Sequence, residues 1–298
     1  MIPLPERLKQ TRALVADGAI GTLLMERGLK EGDTPERINL ENSEILEEIA
    51  LAYLDAGAEI IQTNTFGASQ LKLTSFGLAG RTEEINKRAV QAVRRVVLNR
   101  AYISASCGPS GRLLEPYGDI SADEMFESFR RQMKILIDEG IDNICIETMT
   151  DLNEAVLAVR ASKSISESIP VCATMIFDAT PRGFFTIMGV SIEQAVNGLT
   201  EAGADVIGTN CGNGMDNMIN IAREMRKLTQ LPLIVQSNAG IPTIKDGKLT
   251  YPESPEYMAQ RIPELIDVGV KIIGGCCGTT PAHIALFRER INEYYNCI

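Results

Sequence analysis

The sequence predicts an α/β fold, a single (β/α)8 barrel of the TIM type over residues 1–298, and three observations carry that prediction. Short β-branched runs alternate with longer amphipathic stretches from one end to the other, the pattern of strand–helix units around a parallel sheet. Eight such runs are present, the number that closes a barrel. Polar and glycine-flanked residues gather at the C-terminal ends of these runs, where barrels of this kind build their sites.

In chain order the strands are expected at Ala13–Asp17, Glu59–Thr63, Tyr102–Ser106, Asn143–Glu147, Val171–Ile176, Asp205–Asn210, Leu233–Ser237 and Lys271–Gly275. Between the first two, Ser43 is placed to cap a helix whose Leu46, Ile49, Ala50 and Tyr53 share one face and which Gly57 ends. The same grammar predicts helices over Ser121–Gly140, Ser191–Gly203, Met215–Thr229 and Ser254–Gly269, each closing near a glycine or turn. No Ser/Gly linker, charge block or tandem repeat interrupts the alternation, so one domain is expected.

Composition narrows the function. A formal charge of −10 and the absence of Trp argue against a nucleic-acid partner, which needs clustered Lys and Arg and stacking aromatics. The first ten residues carry Pro3, Pro5 and Glu6 rather than a basic stretch and an apolar core, and no run reaches membrane-spanning length. Seven cysteines, an odd number without the dense spacing of a disulfide scaffold, fit a reducing, cytoplasmic setting in which thiols stay free.

Adjacent thiols at a strand end call for a soft metal, and Cys276-Cys277 stand in Gly274-Gly275-Cys276-Cys277-Gly278-Thr279-Thr280-Pro281. A third thiol, Cys211, follows the sixth strand in Asn210-Cys211-Gly212, one strand away from the eighth. Three thiolates around Zn²⁺ with Zn–S of about 2.3 Å would leave one position open for a sulfur substrate. A free thiol of pKa about 8.5 is only slightly ionised at neutral pH, and coordination removes that limit. A structural zinc with a fourth protein ligand is the rival reading. Cys107, Cys145, Cys172 and Cys297 read as small hydrophobes, and His283 as first-turn packing in the helix begun by Thr280-Pro281. Asp17 and Glu147 end the first and fourth strands, and both are expected to project into the barrel mouth, to anchor an α-ammonium group or to work as an acid/base pair. Gly18 and Gly21 leave backbone N–H groups free for a carboxylate.

Together with Thr63-Asn64-Thr65-Phe66-Gly67, Glu147-Thr148 and Asn238-Ala239-Gly240, these strings resemble the homocysteine S-methyltransferase family over nearly the whole chain, and its cobalamin-dependent methionine synthase branch most closely. The resemblance implies that Cys211, Cys276 and Cys277 bind Zn²⁺ and activate the thiol. It further implies that Glu147 with the Asp17-Gly18 backbone holds the amino-acid end of homocysteine, and that Asn238 lies close to the metal. The implied reaction is methyl transfer to the homocysteine thiolate, giving methionine. An Asp-x-His-x-x-Gly corrinoid ligand motif is absent, so a methylcobamide is expected on a separate corrinoid partner protein. Small donors such as S-methylmethionine or betaine come next. A metal-free barrel lyase is the alternative, but a strand-end Lys or a phosphate-binding turn would mark it, and neither is present. Residues 177–189 depart from the family pattern in being unusually apolar, which suits either packing on a partner or methyl carrier, or a buried loop under the mouth.

Overall fold

The computed structural model describes residues 1–298 apart from Glu31, Asp246, Gly247 and Ile298. Eight parallel strands form the barrel: β1 (Leu14–Val15), β2 (Ile60–Gln62), β3 (Tyr102–Cys107), β4 (Asn143–Met149), β5 (Val171–Met175), β6 (Val206–Asn210), β7 (Leu233–Ser237) and β8 (Val270–Gly275). Their order around the sheet is β1-β8-β7-β6-β5-β4-β3-β2. A parallel bridge between Ala16 and Ile60 joins the two ends, with Asp17 N–H donating to Ile60 O at 3.0 Å and Glu59 N–H to Val15 O at 2.7 Å. All eight expected strands are therefore present, β1 being the shortest.

Helices α1 (Ser43–Asp55), α2 (Thr82–Val97), α3 (Ala122–Asp138), α4 (Leu152–Ile165), α5 (Ile192–Ala202), α6 (Met215–Leu228), α7 (Ile262–Val268) and α8 (Pro281–Asn296) cover the outside. Ser121, Ser191 and Ser254 each accept a backbone N–H three residues on, as N-caps do. Ser43 does not: Asn42 holds the cap position of α1 without a side-chain bond. The helix expected over 254–269 is broken into Pro255–Ala259 and α7. Pro263 has no N–H to give, and its ring would collide with the carbonyl four residues back in a continuous helix.

Strand pleating sorts the residues into two layers. Val15, Ile61, Ile103, Ile144, Val235 and Ile273 face outward into the helix layer. Leu14, Ala16, Ile60, Tyr102, Cys145, Cys172, Val206, Ile234 and Ile272 face inward, where Leu4 and Leu8 of the N-terminal helix Leu4–Leu8 plug the barrel floor. Each such buried Leu or Ile stabilises the fold by about 1.5–3 kcal/mol. Asn143 donates to Ser104 Oγ at 2.9 Å within this floor, and above it the interior turns polar, Thr174 donating to Asn210 Oδ1 at 2.7 Å. No helix among the described residues is long and apolar enough to cross a membrane.

Two hairpins interrupt the alternation, Asp178–Thr180 with Gly183–Phe185 after β5 and Thr243–Lys245 with Lys248–Thr250 after β7. Of the apolar stretch 177–189, Phe177 is fully buried while Ile187 is 79% and Met188 44% exposed, so its outer part is not a buried loop.

Candidate active site

A cavity of about 250 Å³ opens at the C-terminal end of the barrel, lined among others by Gly18, Glu36, Phe66, Glu147, Cys211 and Cys276. A larger groove of about 660 Å³ lies on the outer surface around α2 and α3. Its charged walls pair with one another, as Arg130 does with Glu127 and Lys134 with Asp138, and it reads as solvated surface.

The three cysteines at the strand ends meet at the cavity wall. Cys211 Sγ lies 4.0 Å from Cys277 Sγ, and the sulfurs of Cys211, Cys276 and Cys277 all fall within 4.8 Å of one another, a group that could hold a metal ion. Sulfurs sharing a tetrahedral ion at 2.3 Å sit roughly 3.8 Å apart, so the spacing suits one. Cys276 and then Cys277 pull the Cys211 pKa down to about 3; the contacts with Cys211 and Cys277 hold Cys276 well above the usual thiol range, and the contact with Cys211, with burial, holds Cys277 up at about 11 against the pull of Cys276. The Asn238 side chain lies against Cys211 and helps lower its thiol, and its buried Oδ1 has no partner among the described residues. An amide in that position can present either N–H or O toward the sulfurs by rotating. Three soft donors and an orphaned amide oxygen fit a thiophilic cation. Cys107, Cys145 and Cys172 lie buried elsewhere, and His283 bonds Thr280 and the Glu253 carbonyl instead of approaching the trio.

Local backbone places these groups. Cys211 has φ +58° and Thr148 φ +64°, both in the left-handed region that costs a non-glycine residue roughly 1–2 kcal/mol. Glu147 follows the inward phase of Asn143 and Cys145, and beyond Ile146 the pairing of β4 with β5 slips by one residue before Met149. Asn210 stitches the two turns together: its Oδ1 accepts from Thr148 N–H at 2.8 Å, and its Nδ2 donates to Thr148 Oγ1 at 2.8 Å and to Glu147 Oε2 at 3.3 Å.

Glu147 is buried, and its Oε1 accepts from Gln62 Nε2 at 3.0 Å and from the Ser106 hydroxyl. Burial pushes its carboxyl up to about 7, against the pull of Ser106 and Gln62 and with a further push from Cys211. A cationic ligand in the cavity would relieve that cost.

Asp17 departs from expectation. Its side chain does not line the cavity but faces a small void bounded by Ile20, Leu46, Tyr53 and Val93 on the helix side of β1. Pleating is the reason: Val15 and Asp17 share the outward phase, and Asp17 Oδ2 is used to accept Gln62 N–H at 2.7 Å. Oδ1 is buried with no partner among the described residues, and burial pushes the carboxyl up to about 8. What the β1 end offers the cavity is backbone. The N–H groups of Gly18 and Ile20 find no acceptor among the described residues, and both residues line the cavity.

Sequence reasoning missed several cavity residues. Glu36 is buried on a short 3₁₀ turn, where it accepts Gly67 N–H at 2.6 Å and the Thr34 hydroxyl. Gln62 and Ser106, which hold Glu147, are inward-facing strand residues that alternation could have singled out.

The family profile described as Homocysteine S-methyltransferase matches residues 14–291. Among curated proteins, the chain is similar to methionine synthase of Mycobacterium leprae (strain TN), 30% identical over 298 residues, and to that of Mycobacterium tuberculosis (strain ATCC 25618 / H37Rv), 31% identical over 290. These alignments cover 94% and 92% of this chain, which spans only 24% of the length of either relative. Among solved structures, the metallated form of the homocysteine methyltransferase MmuM from Escherichia coli superposes with a TM-score of 0.80 at 23% identity, covering 97% of this chain and 99% of that one. At that identity the likeness establishes the barrel fold.

Proposed function

Because the chain belongs to the homocysteine S-methyltransferase family, we propose that it transfers a methyl group to the thiolate of homocysteine, giving methionine, with residues 1–298 acting as one zinc-dependent module. The observation that carries this reading is the meeting of three cysteine sulfurs with a buried, hydrogen-bonded carboxylate on one cavity.

Each wall has a role. Cys211, Cys276 and Cys277 would hold Zn²⁺, with Asn238 beside Cys211. Zinc bound by three thiolates supplies a place where an incoming thiol is held as thiolate near neutral pH. Glu147, fixed by Gln62, Ser106 and Asn210, takes the α-ammonium group, and the open N–H groups of Gly18 and Ile20 take the α-carboxylate. Anchored at both ends, the substrate presents its sulfur for in-line attack on the methyl carbon. The S–C bond forms as the bond from methyl to donor breaks, and proximity is the main contribution of the protein. No lysine lines the cavity among the described residues, which counts against a Schiff-base lyase.

For the donor we favour a methyl-corrinoid carried by a separate protein. Exposed Ile187, Met188, Ile241, Ile244 and Leu249 stand on loops at the same barrel end as the cavity, a rim suited to a large apolar carrier. S-methylmethionine or betaine as donor is the second reading. A cytoplasmic location suits a site built of free thiols.

The test is a donor screen: the zinc-loaded chain with homocysteine and, in turn, a methyl-corrinoid protein, free methylcobalamin, S-methylmethionine or betaine, with methionine read by mass spectrometry. Methionine formed fastest with the corrinoid protein is expected. Turnover with a small donor alone replaces the donor assignment, and no methionine with any donor removes the activity.

A further inference from the structure

Thr279 is fully buried between the two loops that the proposed reaction needs to act together. Its hydroxyl accepts from Ala19 N–H at 3.2 Å and donates to Cys276 O at 2.7 Å. One side chain thus bonds the turn that offers Gly18 and Ile20 to the substrate and the turn that carries two of the three sulfurs.

The fit around this hydroxyl is close. A Cβ at Gly18 would come 2.6 Å from Thr279 Oγ1, and one at Gly275 would come within 2.2 Å of it. Glycine at both positions makes the slot into which the hydroxyl fits. Tyr53 reinforces the joint from α1, its buried hydroxyl shared between Ala19 O at 2.9 Å and Thr279 O at 3.2 Å. Gly275 N–H adds a direct strand contact to Asp17 O at 2.9 Å.

We propose that Thr279 is a positioning residue that couples metal occupancy to binding of the amino-acid end of the substrate. A metal pins Cys276 and Cys277, hence the 276–279 turn, and the Thr279 hydroxyl passes that order to the Ala19 amide and its neighbours. Two sites biasing one shared element are coupled reciprocally, typically by 5- to 150-fold in affinity. The inference rests on the reading of the cavity as a metal and amino-acid site.

The experiment uses a ligand that fills the amino-acid subsite without touching the metal. L-2-Aminobutyrate has the carbon skeleton of homocysteine and no sulfur. Calorimetry gives its affinity for the zinc-loaded and the zinc-stripped chain, and their ratio is the coupling. In the native chain and in Thr279→Ser, which keeps the hydroxyl, zinc is expected to tighten binding by about tenfold. In Thr279→Val, which keeps the shape and loses both bonds, the ratio falls toward one while zinc still binds stoichiometrically. A purely structural Thr279 would weaken both affinities and leave their ratio intact, and an unchanged ratio in Thr279→Val, or a ratio of one in the native chain, overturns the proposal. Should Thr279→Val fail to fold, Tyr53→Phe carries the same test, with a reduced ratio expected and an unchanged one decisive against it. A native chain that takes up neither zinc nor aminobutyrate refutes the reading of the cavity itself, an outcome told apart by the missing binding.

Discussion

Asn210 donates to Glu147 Oε2 at 3.3 Å, and the residue that follows it, Cys211, holds a sulfur 4.0 Å from that of Cys277. One strand end therefore supports both the carboxylate and the sulfur trio. Asn210→Ala leaves Thr148 N–H without its acceptor and frees Glu147 on one side. Zinc affinity, by chelator competition, and aminobutyrate affinity, by calorimetry, are both expected to weaken by roughly tenfold or more. Loss of one without the other would separate the two functions of this strand end.

Cys276→Ala removes a sulfur from a trio that has no spare. Plasma emission analysis is expected to find zinc below a tenth of stoichiometry, with the barrel intact by circular dichroism, because two thiolates and an amide bind the ion far more weakly. Full zinc occupancy in this variant would overturn the ligand assignment.

Glu147 gives a pH signature. Its carboxyl, held up at about 7, must be ionised to pair with an α-ammonium group, so aminobutyrate affinity rises with pH and levels above 7. Below 7 it falls by about tenfold per pH unit, since a proton must leave for each ligand bound. Glu147→Gln is expected to lower affinity roughly 10- to 100-fold at pH 8 and to flatten the profile. A slope that survives in the variant would assign the titration to another group.

Asp17 makes a contrasting prediction about stability. Its folded carboxyl, at about 8, lies above the ordinary 3.8, so the folded state binds the proton more tightly than the unfolded one. The resulting stability is fully present below pH 3.8 and is lost as pH rises toward 8. Asparagine keeps the acceptor for Gln62 N–H and cannot ionise. The melting temperature of Asp17→Asn is therefore expected to exceed that of the native chain by a few degrees at pH 8, with the gap closing toward pH 5. A constant gap across that range would show that Asp17 does not titrate in the fold.

The same two carboxylates mark what the sequence made legible. Glu147 sits in a long strand whose alternation is unambiguous, and the thiols announce themselves by glycine-flanked spacing at strand ends. Asp17 lies two residues past a strand of only two residues, too short to fix its phase, so its outward face emerges only from the pairing with Gln62. Glu36 follows a proline in a connection with no strand end beside it, and nothing local marks it as a cavity residue. The left-handed turns at Cys211 and Thr148 carry no signal either: neither is a glycine, the β-branched Thr148 is a poor candidate for that conformation, and tertiary bonds hold both, Thr148 N–H to Asn210 Oδ1 and Cys211 N–H to Gln236 O. Thr279 was visible as part of a string, while the use of its hydroxyl depends on two glycines that lie far apart in the chain.

Leu4 and Leu8 fill the far end of the barrel, so among the described residues the cavity opens only past the C-terminal ends of the strands. On the proposed reading, amino acid and methyl carrier would pass through that opening in succession: the small guest first, the bulky visitor closing over it, and departure in reverse order. A thiol arriving second would find the way blocked, which makes sequence of arrival a property of the architecture as much as of affinity.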